Sequence, residues 1–313
     1  MAFEKESEFF NKLFWIGTKI SEKWMESEFI GKGKKISQMF TTRNPLYHYT
    51  TVSGLLGIVE SNCFWLTNLK YMNDLSEQKF AYNIVKKALD EIRSNNFYSP
   101  NFRQILDCAC SLEVSKEDYY AVCFTDDGDS LPMWSLYGKE CGIAIEIDLN
   151  SDFNFVFGPN CFFEDMIYDE KRLYDFVSIV VGLYYELYKE YENDTSIKFN
   201  IINNDISREI MLGTLRYVNN FKNPGFSYES ETRLLYRWKQ GEEIHRRIKN
   251  NLIVSYVEMP PKDLNGDKLL PIKSVKIGPG EEQELIRQSV EDFMKAKGYA
   301  LEVKKSDIPY RAR

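Results

Sequence analysis

The chain has 313 residues, 43% of them hydrophobic and 15% aromatic. That is enough apolar area for the core of one large or two small domains, and it excludes a disordered or fibrous chain. A net charge of −7 and a pI near 5.2 exclude a nucleic-acid grip spread over the whole surface, while a local basic patch stays compatible.

In chain order, residues 1–40 read as a helical segment. Phe9, Leu13, Ile16, Ile20 and Trp24 recur at spacings of three and four, which builds one apolar face. GKGKK at 31–35 then reads as a linker, because it lacks the spacing of a phosphate-binding glycine loop. LYHYT at 46–50 and CFWLT at 63–67 predict strands on either side of a helix over 53–61 with Ser53 as its N-cap. A helix follows over 72–94, opened by Asn73 or Asp74 with Glu77 in its first turn. Strands are predicted at 119–125 and 141–149, joined by the polar-aromatic connection DDGDSLPMWSLYGKE.

Residues 168–222 change to a helical period and read as an insertion, the second of its helices capped by Asn204 or Asp205. Strands resume at 228–238, 252–259 and 273–278, and a helix over 279–298 ends at Gly298. A last strand is expected at ALEVKKS. Strands, then helices, then strands predict an α+β fold: a helical segment 1–40 and one α+β domain over 41–313, with its helical insertion at about 168–222.

Four groups of residues could carry chemistry. In YESETRLLY, residues i and i+2 of a strand share a face. Glu229, Glu231 and Arg233 are therefore expected to project together, with Thr232, Leu234 and Tyr236 turned to the core. The plain alternative is a solvent-facing edge of alternating charge. His48, one of two histidines, stands among Tyr47, Tyr49 and Thr50, as a ligand-holding group or as a hydrogen-bonded core histidine. The second histidine, His245, reads as exposed in a charged stretch. Trp134 and Tyr137 are spaced to wall a flat ring or to fill a core. The strand–Gly-Pro-Gly–helix passage KIGPGEEQE could receive an anion, although Glu281 and Glu282 already occupy that helix start. Asp126, Asp127 and Asp129 lack the spacing of a calcium loop and read as a polar turn.

Six cysteines form no C-x-x-C pair, and Cys108 and Cys110 have no histidine nearby in sequence, so no metal is expected. Cys123 and Cys141 read as small buried hydrophobes. The expected setting is a reducing cytoplasm. The opening MAFEKESEFF has no signal-peptide pattern. The longest uncharged apolar run, 176–185, is about half of the roughly 20 residues a spanning helix needs, so no membrane partner is expected.

Several spaced motifs, LYHYT…GLLGIVES…FWLTN…MND, VCFTDDGDSLPMWSLYG…GIAIEID, FSYESETRLL, VKIGPG and SDIPYR, resemble the bacterial family DUF2971 from about residue 44 to 311. The order of parts is more distantly similar to the ADP-ribosyltransferase fold. That resemblance implies split sheets with flanking helices, and NAD as substrate without a metal. It implies His48 and Thr50 on the NAD ribose, Thr125 at the end of a central strand, and Tyr71, Trp134 or Tyr137 against the nicotinamide. Glu231 would stabilise the ribosyl cation, Glu229 would orient or deprotonate the acceptor, and Arg233 would pair with a carboxylate or the pyrophosphate. Tyr47 would flank the cofactor. His48 and Glu231 are then expected in one cleft with Trp134 or Tyr137.

The function implied is an ADP-ribosyltransferase or NAD glycohydrolase, of toxin or antiphage-defence type, acting on a protein or nucleic-acid acceptor. The alternative is a non-catalytic nucleotide-binding sensor or interaction module of a defence or regulatory system, with a homo-oligomer as a further partner class.

Overall fold

The computed structural model describes residues 2–29, 45–72, 77–111, 119–138, 141–147, 161–216, 218–249, 251–261 and 269–309. Along the chain these form α1 (Ala2–Phe29), β1 (Leu46–Thr50), α2 (Val52–Ser61), β2 (Phe64–Asn68), α3 (Glu77–Ser94), α4 (Pro100–Ser111) and β3 (Tyr119–Thr125). A short α5 (Leu131–Met133) runs into a π-turn, Trp134–Gly138. Then come β4 (Ile143–Ile147), β5 (Cys161–Asp165), α6 (Glu170–Tyr191), α7 (Phe199–Arg216), β6 (Glu231–Arg237), β7 (His245–Lys249), β8 (Leu252–Met259), β9 (Ile272–Ile277), α8 (Gln283–Ala296) and β10 (Glu302–Lys305). The fold is α+β, as expected.

Two compact units divide the chain. The first draws on Met1–Met39, Asp74–Lys116 and Ile167–Gly225. Its described elements are α1, α3, α4, α6 and α7 with one 3-10 turn, Val218–Asn220. The predicted face of α1 holds: Phe9, Leu13, Ile16 and Ile20 are buried in one core with Leu173, Val177 and Ile206. The side chain of Trp24 and the GKGKK stretch lie outside the described residues. Phe102 anchors an aromatic cluster with Tyr98, Tyr185 and Tyr188, ring centroids 4.8–5.4 Å away, within the range of favourable ring pairs.

The second unit draws on Phe40–Asn73, Glu117–Met166 and Phe226–Arg313. It carries a mixed, mostly antiparallel sheet in the order β10-β9-β4-β1-β3-β2-β8-β7, with β6 on β3 and β5 on β6. Only the β10–β9 pair is parallel among the described strands. The sheet forks at β3. One edge of β3 pairs with β6 along its whole length, from Tyr119↔Arg237 to Thr125↔Glu231. The other edge serves two strands: β1 at Tyr47↔Thr125 and β2 at Thr67↔Ala121 and Asn68↔Tyr120.

Residues opposite each other in a ladder share a face, so the registers sort the side chains. One face is apolar. Leu46, Phe64, Leu66, Val122, Phe124, Ile145, Leu234, Val257 and Val275 meet Leu55 and Ile58 of α2 and Val290 and Met294 of α8 there. The other face carries Tyr47, Thr67, Cys123, Thr125, Glu146, Glu231, Arg233 and Arg247.

Several local readings are corrected. Thr51, not Ser53, caps α2, its Oγ1 accepting from Gly54 N at 3.1 Å. α7 starts at Phe199 rather than beside Asn204. Cys141 has φ 48° and precedes β4 in a turn. Asn73 and Asp74, the expected openers of α3, lie outside the described residues. α8 ends as read, with Gly298 at φ 86° beyond it.

The Trp134–Gly138 turn is locked to β4 through bare backbone. A Cβ on Gly142 would lie 2.1 Å from Gly138 Cα and 2.6 Å from its carbonyl oxygen. Gly142→Ala therefore forces backbone apart and is expected to cost about 3 kcal/mol or more, at the upper end of overpacking effects. Gly182→Ala, in mid-α6 with nothing within 4 Å of the added methyl, should instead stabilise by about 0.5–1 kcal/mol. Urea denaturation of the two variants checks both signs.

Candidate functional site

The polar face is built from β1, β3 and β6 outward. Tyr47, Thr125 and Glu231 stand in one row across three strands. Glu231 and Arg233 project from the same face of β6, as the i, i+2 spacing predicted. They are not on a solvent-facing edge: β6 lies between β3 and β5, and both residues are buried. Arg233 Nε donates to Glu231 Oε1 at 2.7 Å and its Nη2 to Oε2 at 3.2 Å. This two-pronged, charge-assisted pair compensates the buried carboxylate in place. Thr232 and Leu234 turn to the opposite side and are fully buried.

Glu229 is not part of the strand. It closes the 3-10 turn Pro224–Glu229, and Ser230, at φ 45°, reverses the chain before β6 begins. Glu229 is itself buried, and its Oε1 accepts from the Tyr137 hydroxyl at 3.1 Å. The expected projection of all three charged residues from one strand is thus corrected. Glu231 and Arg233 share a strand face, and Glu229 is held separately through Tyr137.

Trp134 is nearly fully buried. Its ring centroid lies 4.6 Å from that of Tyr49, and its Nε1 donates to Asp129 Oδ1 at 2.9 Å. It belongs to the platform under Tyr137, which is only half-buried. Asp129 fixes that platform: the Ser306 hydroxyl donates to it at 2.5 Å, and Lys276 lies 3.3 Å away. Burial pushes its carboxyl up, but the Ser306 and Trp134 hydrogen bonds and the Lys276 charge outweigh that and hold it below its ordinary value. Tyr49 donates its hydroxyl proton to the Asp127 carbonyl at 3.0 Å and accepts from Ser130 N at 2.9 Å. The acidic turn is therefore a structural clasp. Tyr47 lies where a Cβ on Gly128 would meet its ring at 2.5 Å. Burial, followed by the Glu146 charge, raises its phenol.

His48 is placed elsewhere. It neighbours Tyr47 on β1 and so points to the apolar face, away from Glu231. Its ring meets Phe64 and Phe124 edge-on, both at 5.9 Å. Nδ1 lies 2.9 Å from the Cys123 carbonyl. A carbonyl only accepts, so Nδ1 carries the proton. Desolvation lowers its pKa to about 4, against the support of that hydrogen bond, and the Arg247 and Lys249 charges lower it further. The expectation that His48 and Glu231 share a cleft is corrected: His48 is a packed histidine that satisfies a strand carbonyl. Thr50 lies on the same face of β1 as His48. Tyr71 ends the 3-10 turn Leu69–Tyr71, its ring centroid 5.8 Å from the Lys70 ammonium.

Sequence reading missed a second set on the polar face. Arg247 and Lys249 of β7 share the face of Thr67 and Tyr256. Their alternation in HRRIK was the available signal, in a segment read only as a charged stretch. Among the described residues no group of three or more His, Cys, Asp or Glu is placed to hold a metal ion, and no helix is long and apolar enough to cross a membrane.

The class is therefore an α+β protein whose forked, mixed sheet has one apolar and one polar face. The comparisons narrow it one step further. A family model described as "Protein of unknown function (DUF2971)" matches residues 133–234, in agreement with the resemblance read from the motifs. The matched stretch contains Trp134, Tyr137, Glu229, Glu231 and Arg233 but not His48. No curated protein and no solved structure matches the chain.

The half-buried, desolvated imidazole has a pH signature. Its folded pKa, about 4, lies below the ordinary imidazole value of 6.5. Between those values the unfolded chain binds more proton, so this contribution is complete above pH 6.5 and is lost as pH falls toward 4. His48→Gln can still donate to the Cys123 carbonyl and does not titrate. Its urea stability should fall less than that of the wild type between pH 6.5 and 5, over a full window worth about 1–3 kcal/mol. Parallel curves would show that His48 is not desolvated.

Proposed function

We propose that the second unit is a nucleotide-binding module whose ligand lies on the polar face of the sheet, with NAD as the first candidate. The observation that supports this is the joining of three chemistries on one face. Buried carboxylates, Glu231 on the strand face and Glu229 at the Tyr137 hydroxyl that packs there, suit ribose hydroxyls, which donate hydrogen bonds. Tyr137 and Tyr47 offer ring surface to a base. Thr125 supplies a small hydroxyl in the same row. The fork at β3 is compatible with the split sheets of the ADP-ribosyltransferase fold, and NAD enters through that likeness.

Two uses of such a ligand are open, and specific observations separate them. Glu231 is already compensated by Arg233, which weakens it as a stabiliser of a ribosyl cation. His48 is turned to the other face. Both favour binding without turnover, as in a sensor or interaction module. The second reading, NAD cleavage by an ADP-ribosyltransferase or glycohydrolase, is supported by Glu229 and Glu231 flanking Ser230. In it Glu231 faces the developing cation and Glu229 orients the acceptor.

One experiment serves both. The full chain is titrated with NAD by calorimetry, and nicotinamide release is followed in the same samples, with cell extract as a source of acceptors. Binding without release is expected. Glu229→Gln should weaken binding about 10-fold, the value of one charge-assisted hydrogen bond near 1.5 kcal/mol. Release that falls about 10²–10³-fold in Glu231→Gln would make the protein an enzyme. No binding of NAD, ADP or adenosine would end the nucleotide reading.

A further inference from the structure

Buried or half-buried carboxylates in the second unit have cations or hydroxyls to meet them: Glu231 has Arg233, Glu146 has Lys273 and Ser274, and Asp129 has Lys276. Two of the three cations of β7, those that share the polar face, break this pattern. Arg247 and Lys249 are half-buried and sit two residues apart on one strand face, about 7 Å along the chain. Among the described residues neither has a carboxylate within ion-pair distance. Arg247 is nonetheless held rigidly. Its guanidinium lies over the Trp65 ring at 5.1 Å and the Tyr256 ring at 5.3 Å. Its Nη2 donates to Thr67 Oγ1 at 2.8 Å. Its Nε is buried with no hydrogen-bond partner among the described residues.

Desolvation lowers Arg247, and desolvation and then the Arg247 charge lower Lys249. Holding two like charges together out of water is costly unless an anion joins them. Aromatic clamping fixes the guanidinium fork, the geometry that receives phosphate oxygens.

We propose that Arg247 and Lys249 form the phosphoryl subsite of the polar face, taking the phosphate or pyrophosphate of a nucleotide. This rests on the reading above, since register places both cations on the same sheet face as Thr125 and Glu231. The subsite supplies the one chemical part of a nucleotide that the carboxylates and tyrosines leave unmet.

The test is calorimetric titration of the full chain at low salt with ADP, adenosine and inorganic pyrophosphate, for wild type, Arg247→Gln and Lys249→Gln. ADP and pyrophosphate should bind the wild type. Lys249→Gln should weaken both about 10–100-fold, the value of a charge-assisted contact of 1.5–3 kcal/mol, and leave adenosine unchanged. Without ligand its Tm should rise, because a like charge is gone; a merely structural lysine would give a fall. Arg247→Gln removes ring contacts as well and can fail to fold, so Lys249→Gln carries the decision. Pyrophosphate should also raise the His48 pKa in NMR titration, and less so in Lys249→Gln. ADP binding equally tight in all folded variants overturns the subsite and leaves the nucleotide reading standing. Lysine-dependent pyrophosphate binding that adenosine neither shares nor strengthens supports the subsite and removes the nucleotide reading. No binding of either anion overturns the proposal.

Discussion

One strand edge in this protein must serve two neighbours. A strand offers one ladder of backbone donors and acceptors per edge, and buried backbone groups are costly to leave unpaired. β3 gives one edge wholly to β6 and divides the other between β1 and β2. Where those two diverge, the Cys123 carbonyl accepts a side-chain proton from His48. The fork therefore requires a donor that reaches sideways from β1 and sits comfortably between Phe64 and Phe124. A neutral imidazole meets both demands; a lysine would bring a charge into the apolar face. The scarcity of histidine in the chain has a structural answer, and the histidine that looked like a ligand-holder holds the sheet.

The fork also explains how two faces of one sheet stay so different. On the apolar face, α2 and α8 cover aliphatic rows. On the other, carboxylates are met locally, as Arg233 meets Glu231 in two contacts. The faces still influence one another. Arg247 and Lys249 lie on the polar side, yet their charges disfavour protonation of His48 on the other. Charge acts through a single layer of backbone in a low dielectric far more than it does across water. An anion on the polar face would relax that push and narrow the pH window in which His48 weakens the fold.

Much of the fold was legible because hydrophobic period is local. The 252–259 strand has the predicted bounds, and β1, β2, β3, β9 and β10 lie at or within a residue or two of their predicted ranges. β7 was harder to read: the partly buried positions of HRRIK include Arg247 and Lys249 while Ile248 is exposed, the reverse of the usual binary pattern, and its pairing with β8 is a tertiary fact. α4 (Pro100–Ser111) has no counterpart in the predicted elements, although Pro100 sits at the first helical position, where proline is favoured. β5 was missed because only its pairing with β6 makes Cys161–Asp165 a strand.

The site was legible in its parts but not in its assembly. Period 2 within β6 correctly put Glu231 and Arg233 together, because that rule needs only one strand. It could not relate β1 to β6. Whether His48 or Tyr47 shares a face with Glu231 depends on register, and a shift of one residue would exchange them. The register Tyr47↔Thr125↔Glu231 decides for the tyrosine. Chain order, on which the His48–Glu231 pairing was expected, is blind to that parity. It places residues near the same strands but cannot choose the side of the sheet on which they act. Burial was equally invisible in the sequence: ETRLLYR is charged enough for an edge, and only β3 and β5 on its two sides make Glu231 and Arg233 an interior ion pair.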